Sequence, residues 1–249
     1  MEILVDTHSH TIASGHAYAT INEMIQSAKQ KGLKLLCITD HAPKMPGGPD
    51  NVYFRNFKVI DKVVDGVEIF MGVELNILDF DGNVDLTNDV LSKLDGVIAS
   101  FHTICIKPGT IEENTRAFLN VMDNPYVQII GHPEDGKVPI DFEAVVKKAK
   151  ETNTLIELNN SSLKPTSSRV NTRENAIKLL EVCKKEEAFI TIGSDAHFTT
   201  SVGTHDFALN LIEEVKFPYE LIINTDVEKF KEFMGRKRKN IWKIFKLEL

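Results

Sequence analysis

The chain has 249 residues and a formal net charge of −7 at pH 7. That length can bury a large apolar core, as one α/β domain or two smaller ones. The negative balance argues against a general affinity for nucleic acid, which needs a basic surface. No apolar stretch reaches membrane-spanning length, and the first residues lack a basic region followed by an apolar core and a cleavage site. We therefore expect a soluble, cytoplasmic protein.

The first apolar run of the chain leads directly into a pair of histidines. Residues 3–5 form a short strand pattern, and His8 and His10 follow it. Because alternate side chains of a strand project to the same face, these two imidazoles can bind one ion together. His16 follows in a small polar loop that can fold back over the same pocket. An HxH pair alone is only moderately specific, since buried and surface histidines are common.

The rest of the chain alternates strand and helix patterns. Buried-type strands are predicted at residues 33–39, 67–73, 96–101, 127–131, 155–158 and 189–193, and helices at residues 21–31, 86–94, 111–122, 142–151, 173–186 and 207–215. Weaker signals predict a helix over residues 57–64, a hairpin over 76–84, a short strand over 221–223 and a closing helix from residue 226.

Seven continuously apolar strands with helices between them predict a parallel sheet of the α/β class, closed into a seven-stranded barrel. An open doubly wound sheet is the alternative, but no glycine-rich fingerprint follows the first strand. No linker or repeat divides the sequence, so we expect one domain over residues 1–249. Three cysteines, Cys37, Cys105 and Cys183, are far apart and outside any CxxC pattern, which predicts neither a disulfide framework nor a zinc ribbon.

Metal-binding residue types cluster at the predicted strand ends and in the first loop. They are His8, His10, His16, His41, Glu74, His102, His132, Asp195 and His197. Functional groups of parallel barrels gather at the carboxyl ends of the strands, so these side chains are expected to meet. Nine such ligands exceed what one tetrahedral zinc uses, which implies two or three ions, and Glu74 can bridge two of them. Any one of these histidines could instead be a hydrogen-bonded core residue, and Asp6 and Asp40 fit groups that orient histidine rings.

The motifs at these positions resemble a known family. They are Asp6-Thr7-His8-Ser9-His10, Ile38-Thr39-Asp40-His41, Gly72-Val73-Glu74, Phe101-His102, Gly131-His132-Pro133 and Gly193-Ser194-Asp195-Ala196-His197. Together they resemble the PHP superfamily, the polymerase and histidinol phosphatase domains, and are most similar to its YcdX-like phosphatase branch. The resemblance covers essentially the whole chain. It implies a metal-dependent hydrolase with a distorted (β/α)7 TIM-like barrel and three divalent ions, usually zinc, with manganese and iron as alternatives.

Carried over by position, the resemblance assigns the ligands to three ions. One ion would be held by His8, His10, Glu74 and Asp195, a second by Glu74, His102 and His132, and a third by His16, His41 and His197. No ligand position departs from the family pattern. Imidazole and carboxylate ligands suit zinc, iron and manganese alike, so the sequence leaves the metal open.

This metal chemistry predicts a phosphomonoesterase that acts on a small phosphorylated metabolite. A hydroxide that bridges two ions would attack phosphorus, with Asp195 orienting it and Glu74 holding the two ions. Arg169 and Arg55 are the candidates for clamping the substrate phosphate, and each could instead be a solvated surface arginine.

Two other functions stay open at this stage. One is a nucleotide phosphodiesterase or exonuclease-type hydrolase, which the lack of a basic groove and of a polymerase portion disfavours. The other is a non-catalytic, metal-stabilised binding module, which the intact ligand set disfavours. The basic run at residues 236–239 could bind a membrane or nucleic acid, but it is better interpreted as a solvated helix face. Trp242 is expected to pack against the barrel or a neighbouring subunit, so a homo-oligomer is possible.

Overall fold

The computed structural model describes the backbone of residues 1–247 and the side chains of residues 1–237. Its strands are β1 (Val5–Asp6), β2 (Leu35–Ile38), β3 (Val63–Val64), β4 (Val67–Met71), β5 (Val73–Asn76), β6 (Val97–Ser100), β7 (Ile129–Ile130), β8 (Leu155–Asn159) and β9 (Ile190–Gly193). Its helices are α1 (Ile21–Gln30), α2 (Asn51–Arg55), α3 (Asn88–Leu91), α4 (Ile111–Val121), α5 (Phe142–Thr152), α6 (Thr172–Glu186), α7 (Asp206–Glu214) and α8 (Val227–Leu247).

The strands form two sheets, in the orders β1-β2-β4-β3 and β5-β6-β7-β8-β9. All neighbours pair in parallel except β3 and β4, which form an antiparallel hairpin. Isolated parallel bridges link the sheets at both sides, His41 with Glu74 and Ser9 with Ala196. The predicted α/β class with parallel strands is confirmed.

The strand count differs from the predicted seven because Gly72 divides one predicted strand into β4 and β5. A side chain at Gly72 would place its Cβ 2.4 Å from the carbonyl oxygen of Gly96, so only glycine allows this close approach. Here the chain passes from the first sheet to the second. The β3–β4 hairpin, which turns at Asp65 and Gly66, adds a strand that the sequence does not signal.

The helices begin where polar caps follow the apolar strands. Thr20 and Glu23 form a reciprocal capping box at the start of α1, and Thr110 and Glu113 do the same for α4. The apolar face of α1 is buried against the first sheet through Met24 and its neighbours. Helices packed in this way leave the carboxyl ends of the strands open to the loops that carry the predicted site.

Two weaker predictions are wrong. In place of the predicted strand at 221–223 there are two 3-10 turns, Tyr219–Leu221 and Ile223–Thr225, and between them Ile222 forms a single parallel bridge with Ile190 of β9. The side chain of Asn224 links β1 and β9 there, because its Nδ2 donates hydrogen bonds to the carbonyls of Val5 and Ile192. The predicted helix over 57–64 is a 3-10 turn, Phe57–Val59, followed by β3.

The interpretation of the basic run as a solvated face is wrong for Lys237. This side chain is buried, and its Nζ donates to the carbonyls of Met122 and Val127 and to the hydroxyl of Thr154. It thereby attaches α8 to the amino-terminal side of the second sheet. The prediction for Trp242 lies outside the described side chains. Among the described residues, no helix combines the length and the apolarity needed to cross a membrane.

Candidate metal centre

The structure brings the nine predicted ligand residues into one cleft at the carboxyl ends of the strands. His8 and His10 follow β1, His41 follows β2, Glu74 lies on β5, His102 follows β6, His132 follows β7, and Asp195 and His197 follow β9, while His16 follows the 3-10 turn Ile12–Ser14. Every histidine of the cluster except His16 therefore lies where a buried strand ends in a loop. This arrangement is the one expected of a site at the top of a parallel sheet.

The carboxylate of Glu74 lies at the centre of the cluster and is fully shielded from solvent by its neighbours. Its Oε2 is 2.7 Å from Nδ1 of His41, and its Oε1 is 2.9 Å from Nε2 of His132 and 3.2 Å from Nε2 of His102. On the other side, Oε2 is 3.4 Å from Nε2 of His8. Both oxygens thus face imidazole nitrogens, as expected of a carboxylate that bridges two ions.

The ring nitrogens of His8 and His10 face each other. Their Nε2 atoms are 3.0 Å apart, and Nε2 of His10 is 3.3 Å from Oδ1 of Asp195. Burial and the neighbouring histidines hold the pKa of His10 well below its usual range, which favours the neutral ring. Neutral imidazole is the form that binds metal ions.

A second histidine group lies beside the first. The ring of His10 packs 4.3 Å from that of His41 and 4.4 Å from that of His197, measured between centroids. The ring of His16 stacks on His41 at 4.9 Å and on His197 at 5.0 Å. Among the residues whose side chains are described, three triads have donor atoms within 4.8 Å of one another: His10, His41 and His197; His8, His10 and Glu74; and His41, Glu74 and His102.

Two buried donor atoms of the cluster lack hydrogen bonds within the protein and are suited to bind a divalent cation. Nδ1 of His41 and Oε2 of Glu74 are buried, and neither atom has a hydrogen-bond partner. They lie only 2.7 Å apart, but their alignment is not that of a hydrogen bond. Buried polar atoms left in this way cost free energy. A divalent ion would satisfy both atoms at once, and the imidazole and carboxylate set is one that zinc, manganese and iron accept.

Two polar residues that the sequence analysis did not identify lie within hydrogen-bond distance of histidines of the cluster. Oε1 of Glu157 lies 2.7 Å from Nδ1 of His8, while its Oε2 accepts the backbone N–H of His132 at 2.8 Å. Oδ1 of Asn76 lies 2.7 Å from Nδ1 of His102. A carboxylate within the otherwise apolar β8 is a sequence signal of a buried charge with partners, and it could have pointed to Glu157.

Asp40 and Asp6, expected to orient histidine rings, act through intermediate groups. Asp40 accepts hydrogen bonds from Ser14 and Tyr53, and the hydroxyl of Ser14 lies 3.1 Å from Nδ1 of His10. Asp6 accepts the backbone N–H groups of Ser194 and Gly203, so it fixes the loop that carries Asp195.

Of the two predicted phosphate-binding arginines, the structure brings only Arg169 to the cleft. Both terminal nitrogens of Arg169 lie 3.1 Å from Oδ2 of Asp195, and Nη1 also donates to the hydroxyl of Ser162 at 3.0 Å. Burial opposes ionisation of Asp195, but His8 and Arg169 hold the pKa of this carboxyl well below its usual range. Arg55 lies on the surface, where it forms an ion pair of 2.8 Å with Asp89.

The cleft is a small polar cavity of about 360 Å³. Its lining includes His16, His41, Met45, His102, Ser161, Lys164, Thr166, Ser167, Ser168, Arg169, Asp195 and His197. Two of the predicted ligand residues have left-handed backbone conformations, Asp195 of the lining with φ 50° and His132 with φ 31°. Such strained non-glycine residues concentrate at functional sites, where the surrounding contacts hold them.

Comparison with known proteins agrees with this geometry. The family model described as "PHP domain" matches residues 6–163, which include seven of the nine cluster residues. The chain belongs to the PHP family. The resemblance stated from its motifs is therefore confirmed.

Curated relatives of this PHP chain match it over nearly its whole length. A protein named "Probable phosphatase" from Caldicellulosiruptor saccharolyticus is 50% identical over 241 residues, covering 97% of this chain and 100% of the relative. Another from Clostridium novyi is 48% identical over 239 residues, covering 96% and 97%. Among solved structures, histidinol phosphate phosphatase from Lactococcus lactis, complexed with zinc, L-histidinol and phosphate, has a TM-score of 0.57 at 19% identity, covering 86% of this chain and 94% of that one. That likeness shows a shared fold.

Proposed function

We propose that this chain is a metal-dependent phosphatase that hydrolyses phosphate monoesters of small metabolites. The observation that carries the proposal is the Glu74 carboxylate, which lies within 3.5 Å of ring nitrogens from His8, His10, His41, His102 and His132. A carboxylate surrounded by imidazole nitrogens beside an open cavity is suited to hold several cations against an anionic ester. The printed names of the curated relatives support phosphatase activity.

The proposal includes three ions, distributed among the nine residues as the family resemblance implies. Zinc is the first choice, because the donors are imidazoles and carboxylates and because the Lactococcus lactis protein was solved with zinc. It also includes one distorted barrel of seven parallel strands, with β4 and β5 counted as a single strand. Support for closure comes from the bridges between Ser9 and Ala196 and between His41 and Glu74.

Different residues of the chain would have different roles in phosphate hydrolysis. Bound divalent ions supply acidified water and neutralise charge on the phosphate oxygens. Arg169 would bind a phosphate oxygen through N–H groups that Asp195 does not occupy, since both of its contacts fall on a single oxygen, Oδ2. Oδ1 of Asp195 faces the histidines and would orient the attacking water. Burial and the neighbouring histidines lower the pKa of His10 and of His16, which favours the neutral form of these two rings.

The size of the cavity supports a small substrate. A volume of about 360 Å³ is near the lower end of the range for small-molecule sites, which is roughly 300–1,000 Å³. Its walls are polar, with hydroxyl groups from Ser161, Ser167 and Ser168. A phosphorylated metabolite of a few carbon atoms fits this chemistry.

The experiment that tests the proposal compares an aryl phosphate monoester with the matching diester, using protein whose metal content is measured. We expect monoester turnover with two or three ions per chain, and loss of both metal and activity in His10→Ala. Removal of metal with a chelator should abolish turnover, and added zinc or manganese should restore it. Preference for the diester would favour a phosphodiesterase. Full metal content without turnover of any monoester would overturn the proposal.

A further inference from the structure

A lysine lies in the wall of the cleft that holds the histidine cluster. Lys164 belongs to the loop that follows β8, and its half-buried side chain lines the same cavity as His16, His102 and Arg169. The sequence analysis proposed Arg169 and Arg55 as phosphate-binding residues and did not identify this lysine. A cation in this position adds positive charge to the wall that a bound substrate would face.

Arg169 is paired with a carboxylate, whereas Lys164 contacts an uncharged hydroxyl group. Arg169 contacts the carboxylate of Asp195 at 3.1 Å. Among the described side chains, the ammonium group of Lys164 donates only to the hydroxyl of Ser201, at 3.4 Å. Among the side chains of residues 1–237, no carboxylate lies within 4.0 Å of it. A partly desolvated ammonium group without a counter-ion favours the binding of an anion.

The rest of this wall is uncharged and rich in hydroxyl groups. Thr166, Ser167 and Ser168 line it between Lys164 and Arg169 along the chain, and Ser161 lines it just before Lys164. Asp195 is the only carboxylate among the residues that line the cavity, and Arg169 already pairs with it. An additional anionic group on a bound ester would therefore meet Lys164 without repulsion from the wall, whereas an ammonium group would meet a like charge.

We propose that Lys164 determines substrate specificity by binding a second anionic group, a carboxylate or a second phosphate, on the alcohol portion of the phosphate monoester. The inference rests on the proposed phosphatase function and specifies its substrate class. The phosphate to be cleaved lies at the histidine cluster and Arg169, and the second anion lies at Lys164. Monoesters of amino alcohols are poor substrates by the same argument.

The test uses four esters of similar size and the zinc-loaded full chain. They are ethyl phosphate, phosphoglycolate, ethanediol bisphosphate and phosphoethanolamine, whose second groups are neutral, carboxylate, phosphate and ammonium. We expect kcat/KM to be at least tenfold higher for the better anionic ester than for ethyl phosphate, and lowest for phosphoethanolamine. Which anionic ester is preferred identifies the second group.

Variants then assign this preference to one side chain. Lys164→Gln should reduce the ratio of kcat/KM between the anionic and neutral esters at least tenfold, mainly through KM, and Lys164→Arg should restore most of it. Lys178, an exposed lysine on α6, provides the matched control, and Lys178→Gln should leave every ratio unchanged. Metal content and thermal unfolding of each variant show whether it is folded.

The outcomes separate the two proposals. Equal turnover of neutral and anionic esters by the wild-type chain would overturn the specificity inference and leave the phosphatase function standing, even if Lys164→Gln did not fold. An unchanged ratio in folded Lys164→Gln would do the same. Failure to hydrolyse any of the four esters with metal bound would overturn the phosphatase function and this inference with it.

Discussion

Nδ1 of His8 lies 2.7 Å from Oε1 of Glu157, and both side chains are completely shielded from solvent. A carboxylate in this position holds the proton on Nδ1, so that Nε2 presents its lone pair to the cluster. The other oxygen of Glu157 accepts the backbone N–H of His132 at 2.8 Å. One residue therefore fixes the ring of one predicted ligand and the backbone of another.

Replacement of Glu157 by glutamine should weaken metal binding. The amide keeps the shape but loses the charge that fixes the tautomer of His8, so we expect metal affinity to fall about 10- to 100-fold. Competition with a chromophoric chelator measures the affinity, and excess zinc should restore much of the activity. Glu174→Gln on the exposed surface of α6 is the matched control. Unchanged zinc affinity in folded Glu157→Gln would show that His8 needs no such support.

Replacement of Arg169 by glutamine should impair catalysis without loss of metal. The guanidinium group contacts Asp195 and Ser162 and faces the cavity, so its removal takes a charged donor away from the substrate phosphate. We expect kcat/KM to fall about 100-fold or more and inhibition by inorganic phosphate to weaken. Arg169→Lys should recover only part of the activity, because an ammonium group cannot reproduce the planar pair of donors.

The matched control for Arg169 is Arg55, the other arginine that the sequence proposed for phosphate binding. Because Arg55 forms a surface ion pair with Asp89, Arg55→Gln should leave steady-state kinetics unchanged and cost less than about 1 kcal/mol of stability. A comparable loss of activity in both variants would contradict the separation of roles.

The sequence predicts the cluster residues because the signal is local. Apart from His16, which lies in the first loop, the predicted ligands stand at or just after the end of a continuously apolar run. The carboxyl ends of parallel strands meet at one edge whatever the details of packing. The same local pattern predicts α1, α4, α5, α6 and α7 to within about two residues, the expected uncertainty at helix ends.

Long-range contacts explain what the sequence does not predict. The role of Glu157 depends on the position of β8 relative to the ring of His8, and that of Asn224 on the gap between β1 and β9. Lys237 belongs to a basic run typical of solvent exposure. Its ammonium group nevertheless donates to three acceptors that lie just after α4 and just before β7 and β8. None of these partners is near in sequence, so periodicity and composition carry no information about them.

A substitution at Gly15 should affect metal binding through the adjacent His16. Gly15 has φ 79°, and an added Cβ would lie 2.5 Å from the carbonyl oxygen of Gly47. Gly15→Ala must therefore move the loop that carries His16, in addition to the cost of about 1–2 kcal/mol for a left-handed alanine. We expect loss of about one ion per chain, measured by metal analysis after dialysis, together with a lower melting temperature.

Gly32 separates the two effects of that substitution. It has φ 80°, but no atom lies within 4 Å of the position of an added Cβ. Gly32→Ala should thus show only the backbone cost and keep the full metal content. Equal metal content in both variants would contradict the role assigned to the loop of His16.

The buried lysine of α8 should make stability depend on pH. Burial lowers the pKa of Lys237 to about 7, whereas an unfolded chain has an ordinary lysine value of 10.5. Between pH 7 and pH 10.5 the unfolded state therefore binds more protons than the folded state, so the free energy of unfolding rises with pH in this window. The contribution of this group should increase by about 2 kcal/mol from pH 7 to pH 9.

Lys237→Met isolates this contribution, because it removes the titrating group and keeps an unbranched side chain. Denaturant unfolding at pH 7 and pH 9 measures the free energy for both proteins. We expect the wild type to gain stability relative to Lys237→Met as the pH rises, since deprotonation relieves the burial of a charge. A constant difference between the two proteins would mean that the carbonyls of Met122 and Val127 hold Lys237 protonated throughout, with its pKa near the ordinary value.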